Sequence, residues 1–463
     1  MIAVVSVLSL SISSCQVFNK YQSPEVDTTD LYRAEYNSND TTTVASLHWS
    51  DYFIDPTLQK LIEEGLSANF DLRTAYFRVE EAAAALSVAR AAYFPTAGIA
   101  GQATHSRTSE KNGVTDALGY GSNRYQLGLA VQWEIDIWGK LNRRSRASLA
   151  QYLQSIEYKR LIQTTLISNI AASYFTLMAL DEQLHISLET IEVLKQNAVS
   201  MQAMMDAGLL TAAAVEQSRA LLASTQVSAL NLEVSIRKLE NALSIVVGRK
   251  PGAIDRQLLS TWTAPSAPLS RGVPAQMLAL RPDVRTAELQ LRSAFELRNA
   301  AQAALYPSLT LTSGTMVGYG ASSFSDFFKP ENLLANVIGG LTQPLFAGNQ
   351  LRAQVKITKA QEQEALTAFE KATLTAAQEV SDVLFVYDKA QEKTVFRREQ
   401  IESLRKSVDY TGELLSAGEA TYLEVLTARQ SYLTAQLASV NDTLEKAQAV
   451  IDLYRALGGG GEN

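Results

Sequence analysis

Few side chains in this sequence have the types and spacing that chemistry requires. The three histidines, His48, His105 and His185, lie far apart and have none of the short spacings of metal ligands. Cys15 is the only cysteine, so no intrachain disulfide can form. It follows Ile12-Ser13-Ser14, which resembles a lipobox, where the cysteine is lipidated after a signal peptide is cleaved. We therefore expect a covalent lipid (palmitate) on Cys15, and no metal or other cofactor.

Residues 1–14 form an apolar and small-residue run that fits the core of a signal peptide. The run is shorter than the about 18–20 residues that a membrane helix needs. No Lys or Arg precedes it, although a signal peptide normally begins with a positive charge, so we expect a start codon upstream of Met1. The alternative is an unmodified Cys15 in a cleaved N-terminus.

Signatures of enzymes and of nucleic-acid binding are missing from the sequence. It has no Walker-type glycine-rich loop with a lysine and no G-x-S-x-G motif, and Gly318-Tyr319-Gly320 lacks the strand–helix context of a dinucleotide site. The net charge is −7, from 41 basic and 48 acidic residues, whereas phosphate binding favours a basic face. We expect neither catalysis nor a nucleic-acid partner.

The sequence repeats itself at an offset of about 210 residues, which is typical of internal duplication. Asp71-Leu72-Arg73-Thr74-Ala75 recurs as Asp283-Val284-Arg285-Thr286-Ala287, and Gly208 with Thr211 recurs as Gly418 with Thr421. Several matches in the same order, at nearly the same offset, indicate that both halves contain the same series of elements.

Each half is predicted to hold a helix, a β-hairpin and a long helical hairpin, because glycine and proline punctuate long runs of helix-forming residues. The first repeat, 56–250, comprises a helix at 56–93, a β-hairpin at 97–138 (strands 97–108 and 124–138) and a helical hairpin at 141–247 with its tip near 208. The second repeat, 274–457, comprises a helix at 282–305, a β-hairpin at 308–346 (strands 308–320 and 333–346) and a helical hairpin at 349–457 with its tip near 418. Outside the repeats are an extended segment at 15–55, an irregular linker at 251–273 and a flexible tail at 458–463.

The strand at 124–138 alternates clearly between apolar and polar residues. We predict that its apolar face meets lipid through Tyr125, Leu127, Leu129, Val131, Trp133 and Ile135. A half-buried soluble sheet would alternate in the same way, but the strands are longer than the about 5–6 residues usual in soluble sheets. Lipid tolerates no open sheet edge and bacterial barrels have at least about eight strands, whereas one chain offers four. Two copies would supply eight strands and three would supply twelve.

The doubled plan and the two tip sequences, Asp206-Ala207-Gly208-Leu209-Leu210-Thr211 and 417–426, together resemble the outer-membrane efflux protein (TolC) family, in its OprM-like, NodT-type lipoprotein branch. The resemblance covers about residues 15–457. It implies a mainly α fold with a β-barrel part: a homotrimer with a twelve-stranded barrel in outer-membrane lipid and an α-helical barrel in the periplasm. It also implies docking to a periplasmic adaptor (a membrane fusion protein) and an inner-membrane RND pump.

The function implied by this resemblance is a passive exit duct for drugs or other small toxic compounds, and hence antibiotic resistance. Alternatives are the duct of a metal-efflux or type I secretion system, or a periplasmic coiled-coil protein that forms no channel. A coiled-coil protein would explain the helices but not the two pairs of long alternating strands.

The resemblance also implies which tip residues act. Adaptor docking or the periplasmic gate is assigned to Gly208, Leu209, Thr211, Gly418, Tyr422 and Leu423. For the glycines, ordinary helix C-caps are the alternative. A charged ring at the gate is assigned to Asp206, Glu419 and Glu424, with solvated helix-end charges as the alternative. OprM-like channels narrow at a Leu followed four residues later by an Asp, but here Leu423 is followed by Thr427.

Overall fold

The structure, a computed structural model, describes residues 19–24, 48–106, 122–262, 281–313 and 317–459. The predicted leader at 1–14 and Cys15 lie outside the described residues, as do 107–121 and most of the tail. The chain forms two compact units. One is built mainly from Val79–Ser155 and Ala287–Phe369, and the other mainly from Ile156–Thr286 and Glu370–Asn463. Each unit therefore takes segments from both predicted repeats.

Helices account for most of the described residues, and the longest occur in two matching pairs. Their bounds are α1 Trp49–Tyr52, α2 Pro56–Ala68, α3 Phe70–Ala91, α4 Lys140–Asp206, α5 Ala212–Val246, α6 Pro282–Ala303, α7 Gln350–Ala417 and α8 Tyr422–Ala456. Helices α4 and α7 have 67 and 68 residues, and α5 and α8 have 35 each. At 1.5 Å per residue α4 is about 100 Å long. No helix among the described residues is long and apolar enough to cross a membrane.

The helix predicted at 56–93 is divided in the structure. Helix α2 ends at Ala68 and α3 begins at Phe70, because Asn69 between them caps the second helix: its Oδ1 accepts a hydrogen bond from the Leu72 N–H at 2.8 Å. The same carboxamide donates through Nδ2 to the Val246 carbonyl at 2.8 Å. This long-range bond favours the break over continued helix, since Asn also competes with the backbone inside helices.

The core of the second unit lies where α1 and α2 pack with the middle of α4 and the end of α8. Among its fully buried side chains are Tyr52, Leu58, Ile62, Ile167, Ile170, Tyr174, Leu177 and Tyr454. The Tyr52 hydroxyl donates to the Val450 carbonyl at 2.6 Å, and the Tyr174 hydroxyl donates to Asp55 at 2.9 Å. Asp55 in turn caps α2, so the Tyr174 hydroxyl supports the start of that helix, whereas the buried Tyr454 hydroxyl has no hydrogen-bond partner among the described residues.

The first unit contains an antiparallel sheet. Its strands are β1 Thr96–Ser106, β2 Ser122–Ile135, β3 Ser308–Thr312, β4 Val317–Ala321, β5 Leu333–Leu334 and β6 Ile338–Thr342. Strand β2 pairs with β1 on one side and with both β3 and β4 on the other, and β6 and β5 pair with β3 and β4 respectively. The sheet is thus four strands wide, and two of its four positions are filled by interrupted strands.

The two interruptions correct the predicted strands 308–320 and 333–346. From Leu129 to Gln132, β2 advances three residues, while its partner advances five, from Val317 back to Thr312. The regular pairing with β2 is therefore interrupted at Ser313, and residues 314–316 lie outside the described residues. Ser313 satisfies the backbone there: its N–H donates to the Val131 carbonyl at 2.9 Å, and its Oγ accepts from the Val131 N–H at 3.0 Å. The strand predicted at 124–138 ends at Ile135, and Asp136 then caps α4.

Candidate functional site

The strand pairing gathers most of the large apolar residues of the sheet on one face. Leu129 pairs with Ile99 and Val317, and Leu127 pairs with Tyr319. Directly paired residues point to the same side, so this apolar face is defined by Ile99, Tyr125, Leu127, Leu129, Val131, Trp133, Ile135, Leu309, Leu311, Val317, Tyr319, Leu333 and Leu341. Ile99 and Leu341 are 81% and 68% exposed, so nothing in the described chain covers this face fully.

The opposite face is mostly polar or small, although Leu334 and Ile338 at the edge of the sheet also lie on this side. Gln132 pairs with Thr96 and Thr312, and Gln126 pairs with Gln102. Glu134 also lies on this side and forms an ion pair with Lys140 at the start of α4. A sheet with one mainly apolar face and one mainly polar face can separate lipid from water.

Aromatic residues mark the helix-proximal end of the sheet. The Trp133 indole donates to the Tyr93 carbonyl at 2.8 Å, and the Trp138 indole donates to the Pro307 carbonyl at 2.8 Å. The Trp138 ring stacks on Tyr306 with centroids 5.0 Å apart. Aromatic rings with one hydrogen-bonded end are favoured where an apolar region meets water.

Each helical hairpin turns through a glycine with left-handed backbone. Gly208 has φ +75°, and its N–H donates to the Met205 carbonyl while the Leu209 N–H donates to the Met204 carbonyl, both at 2.9 Å. Gly418 has φ +79° and closes α7 in the same way. These are Schellman C-caps, in which only glycine adopts the backbone cheaply. Thr211 then caps α5 through a bond from the Ala214 N–H.

The two hairpin tips pack against each other. Met201 and Val215 from the first hairpin are buried with Tyr422 and Val425 from the second. This tip cluster is completed by partly buried Met205, Leu210, Ala214, Leu415 and Leu426. Of the two leucines assigned to docking, Leu209 is 70% exposed and Leu423 is 58% exposed. The cluster therefore joins the tips and leaves an apolar residue of each hairpin facing outward.

The sequence-family comparison agrees with this architecture. The family model described as outer membrane efflux protein matches residues 61–249 and again 273–459. The chain belongs to the outer membrane efflux protein family. This efflux protein is accordingly an outer-membrane component.

Full-length relatives place the efflux protein more narrowly. It is 29% identical over 412 residues to "Probable outer membrane lipoprotein SilC" of Salmonella typhimurium, covering 89% of this chain and 88% of that one. It is 27% identical over 455 residues to "Cation efflux system protein CusC" of Escherichia coli K12, covering 98% of each. The solved structure of the outer-membrane channel OprN matches with a TM-score of 0.87 and 27% identity, covering 96% of this chain and 99% of that one.

The three acidic residues assigned to the gate have different surroundings in the efflux protein. Asp206 accepts a hydrogen bond from Gln202 at 2.9 Å, and Gln202 accepts one from Arg219 across the first hairpin at 3.0 Å. Glu424 accepts from the N–H and the hydroxyl of Thr421 at 2.6 and 2.9 Å. These bonds hold the pKa of the Glu424 carboxyl below its usual value, the bond from the backbone N–H contributing most.

Glu419 stands apart from the other two acids. It is exposed at the turn, and its carboxylate has no hydrogen bond or ion pair among the described residues. In the part of the chain that the structure describes, no group of three or more His, Cys, Asp or Glu side chains is placed to hold a metal ion.

The structure also shows tip residues that sequence reasoning missed. Met201, Met205 and Leu415 belong to the tip cluster, although the sequence assigned them no role. The four-residue spacing of the two methionines places them on one face of α4, which was a usable signal. Tyr422, which the resemblance assigned to docking or the gate, is only 7% exposed and packs between the hairpins.

Proposed function

We propose that three copies of this efflux protein close a twelve-stranded barrel in the outer membrane, continuous with an α-helical duct in the periplasm. The sheet carries the argument. Among the described strands, β1 pairs only with β2, and β6 pairs only with β3, so one chain leaves an unpaired strand edge on each side of a four-stranded sheet. An unpaired backbone group in lipid costs several kcal/mol, so the edges of neighbouring copies must pair.

The oligomer test uses the protein purified in detergent. We expect native mass spectrometry to give three times the mass of the mature chain, with the strand signal retained in circular dichroism. A mass of two chains would give an eight-stranded barrel and overturn the trimer. A single chain with intact strands would remove the shared barrel altogether.

The duct is passive, and its working partners are a periplasmic adaptor and an inner-membrane pump of the RND type. Leu209 and Leu423 support the adaptor assignment, because exposed apolar side chains at both tips offer contacts to a helical partner. The double substitution of Leu209→Ser with Leu423→Ser should weaken adaptor capture. Leu188→Ser with Leu374→Ser, at similarly exposed positions away from the tips, is the matched control. Equal capture by both variants would exclude the leucines from docking.

The cargo is a set of small toxic compounds, with drugs as the first candidate class. The full-length match to CusC, which is named as a cation efflux protein, favours metal cations as the second. Deletion of the gene should sensitise cells to the exported class in a panel of antibiotics, detergents and metal salts, and the intact gene should restore resistance. An unchanged panel would argue against efflux of either class.

The closed mouth carries an acidic ring, to which Glu419 contributes most. Threefold symmetry would bring three Glu419 carboxylates together, and such a ring favours cations. Asp206 and Glu424 have hydrogen bonds within their own hairpins, whereas Glu419 does not. Single-channel recording should show that Glu419→Gln reduces cation selectivity more than Asp206→Asn or Glu424→Gln. Unchanged selectivity in the triple variant would remove the ring.

A lipid on Cys15 completes the proposed attachment to the outer membrane. The match to SilC, which is named as a probable outer membrane lipoprotein, supports it. Mass spectrometry of the mature N-terminus should find a diacylglycerol on the cysteine, and Cys15→Ser should abolish it. An unmodified thiol at the mature N-terminus would exclude lipidation.

A further inference from the structure

The segment 322–332 joins β4 to β5 at the end of the sheet remote from the long helices. It contains two single 3₁₀ turns, Phe324–Asp326 and Pro330–Asn332. The Asn332 side chain donates to the Asp326 carbonyl at 2.8 Å, and the Lys329 N–H donates to the same carbonyl at 3.1 Å. The segment is therefore folded on itself through its own hydrogen bonds.

Three phenylalanines fix the side of the sheet on which this segment lies. The Phe327 and Phe328 rings lie 6.3 and 5.8 Å from the Tyr319 ring, and the Phe324 ring lies 6.1 Å from the Tyr125 ring. Tyr319 pairs with Leu127 and therefore belongs to the apolar face, as Tyr125 does. The segment consequently extends the apolar face and not the polar one.

The three rings differ in burial: one is packed inside the segment and two are largely exposed. Phe327 is 4% exposed and contacts both of the other phenylalanines. Phe324 and Phe328 are 73% and 68% exposed. It is unfavourable for an ordered segment to expose two large apolar rings to water, and such an exposed apolar patch marks a contact surface.

We propose that segment 322–332 is an aromatic anchor, which inserts Phe324 and Phe328 into the outer leaflet at the boundary between acyl chains and headgroups. Continuity with the apolar face identifies lipid as the occupant, so the inference depends on the proposed function of that face. Trp133 lies at the opposite end, eight residues from Tyr125 along β2. That is about 27 Å of strand, which at the about 35–45° tilt of barrel strands spans about 20 Å of height, most of the about 25 Å apolar band that aromatic rings edge in outer-membrane barrels.

The test places a tryptophan at each exposed ring in the full-length protein, reconstituted in phosphatidylcholine vesicles with or without bromine on the acyl chains. Phe324→Trp and Phe328→Trp are conservative, and the added emission is measured against the parent chain. Leu129→Trp reports the apolar face, and Phe396→Trp, on a 70% exposed position of α7, reports a helical surface away from the sheet. Acrylamide in the buffer serves as the water-soluble quencher.

We expect the anchor positions to be quenched by brominated lipid as strongly as Leu129→Trp, and by acrylamide much less than Phe396→Trp. Quenching by acrylamide alone at 324 and 328 overturns the anchor, yet leaves the channel intact if Leu129→Trp is quenched by lipid. Protection from both quenchers would place the rings against a neighbouring copy and also overturns the anchor. If Leu129→Trp also escapes the brominated lipid, the proposed lipid face fails as well.

Discussion

Gly128 on β2 lies directly opposite Gly318 on β4, and neither position has room for a side chain. A Cβ on Gly128 would lie 2.5 Å from the Val317 carbonyl oxygen, and a Cβ on Gly318 would overlap the backbone at Leu127. These neighbours are backbone atoms inside a ladder, so they cannot rotate away. The pair allows the two strands to approach closely on the polar face of the sheet.

Gly128→Ala should therefore destabilise the sheet by about 1–3 kcal/mol, the usual cost of forcing a methyl group into a packed site. Gly98→Ala is the matched control, because a Cβ on Gly98 of β1 has no atom within 4 Å. Urea unfolding in lipid vesicles, followed by circular dichroism, measures both. Unfolding of both variants at the same urea concentration would show that the Gly128→Ala substitution causes no clash.

Arg281 should be among the most sensitive single positions for stability in the second unit. It is 4% exposed, and its guanidinium donates to Asp283 at 2.8 Å, to Glu379 at 2.6 Å and to the Ala456 carbonyl at the end of α8 at 2.9 Å. Arg281→Met leaves these acceptors without their donor, but the Asp283 and Glu379 side chains are 33% and 37% exposed, so we expect a loss of about 1–3 kcal/mol in the free energy of unfolding.

A surface arginine gives the comparison for Arg281. Arg455 pairs with Asp452 at 3.4 Å, and its side chain is 44% exposed. Arg455→Met should cost less than about 1 kcal/mol, as is usual for exposed pairs. Equal losses for the two variants, measured by urea unfolding, would show that the buried network around Arg281 adds nothing.

Tyr422 should hold the two hairpin tips together. Tyr422→Ala removes the largest side chain of the tip cluster. The local loss of stability should be at most the about 3–5 kcal/mol that truncation of a buried aromatic side chain costs. Because the tips are at the end of long helices, we expect faster limited proteolysis there and little change in the global unfolding midpoint. Tyr410→Ala, at a 60% exposed position of α7, should leave the cleavage rate unchanged. Equal cleavage rates would mean that the cluster does not join the tips.

Local sequence signals were sufficient for most of the fold. The long helix from Leu141 to Asp206 was predicted because it contains no Gly or Pro, and the structure gives Lys140–Asp206. The alternation from Tyr125 to Ile135 likewise placed the right residues on one face, since a strand's period of two is independent of its partners. The tip glycines could be located because few residues other than glycine adopt the left-handed backbone that ends these helices.

The features that the sequence missed depend on distant partners. The break at Asn69 involves the Val246 carbonyl, 177 residues away, and the end of the regular pairing at Ser313 involves Val131, 182 residues away. Neither residue type is unusual in a helix or strand by itself. The adaptor and gate assignments came from the family resemblance and the lipid-facing assignment came from the alternation along β2, and all of them stay predictions to be tested.

Glu424 should stabilise the start of α8 in a way that depends on pH. Hydrogen bonds from the Thr421 N–H and hydroxyl lower the pKa of the Glu424 carboxyl in the folded chain. The stabilisation is therefore complete above the pKa of the unfolded chain, about 4.3, and is lost as the pH falls through the pKa of the folded chain. Glu424→Gln should therefore increase amide hydrogen exchange at 421–425 at pH 7. At a pH below both the folded and the unfolded pKa of Glu424 it should have no effect, once the rates are corrected for the intrinsic exchange rate at each pH. Glu419→Gln, whose carboxylate has no such bond among the described residues, should exchange like the parent chain at both pH values. An effect of Glu424→Gln that persisted unchanged into acid would show that the ionised carboxylate is not the stabilising group.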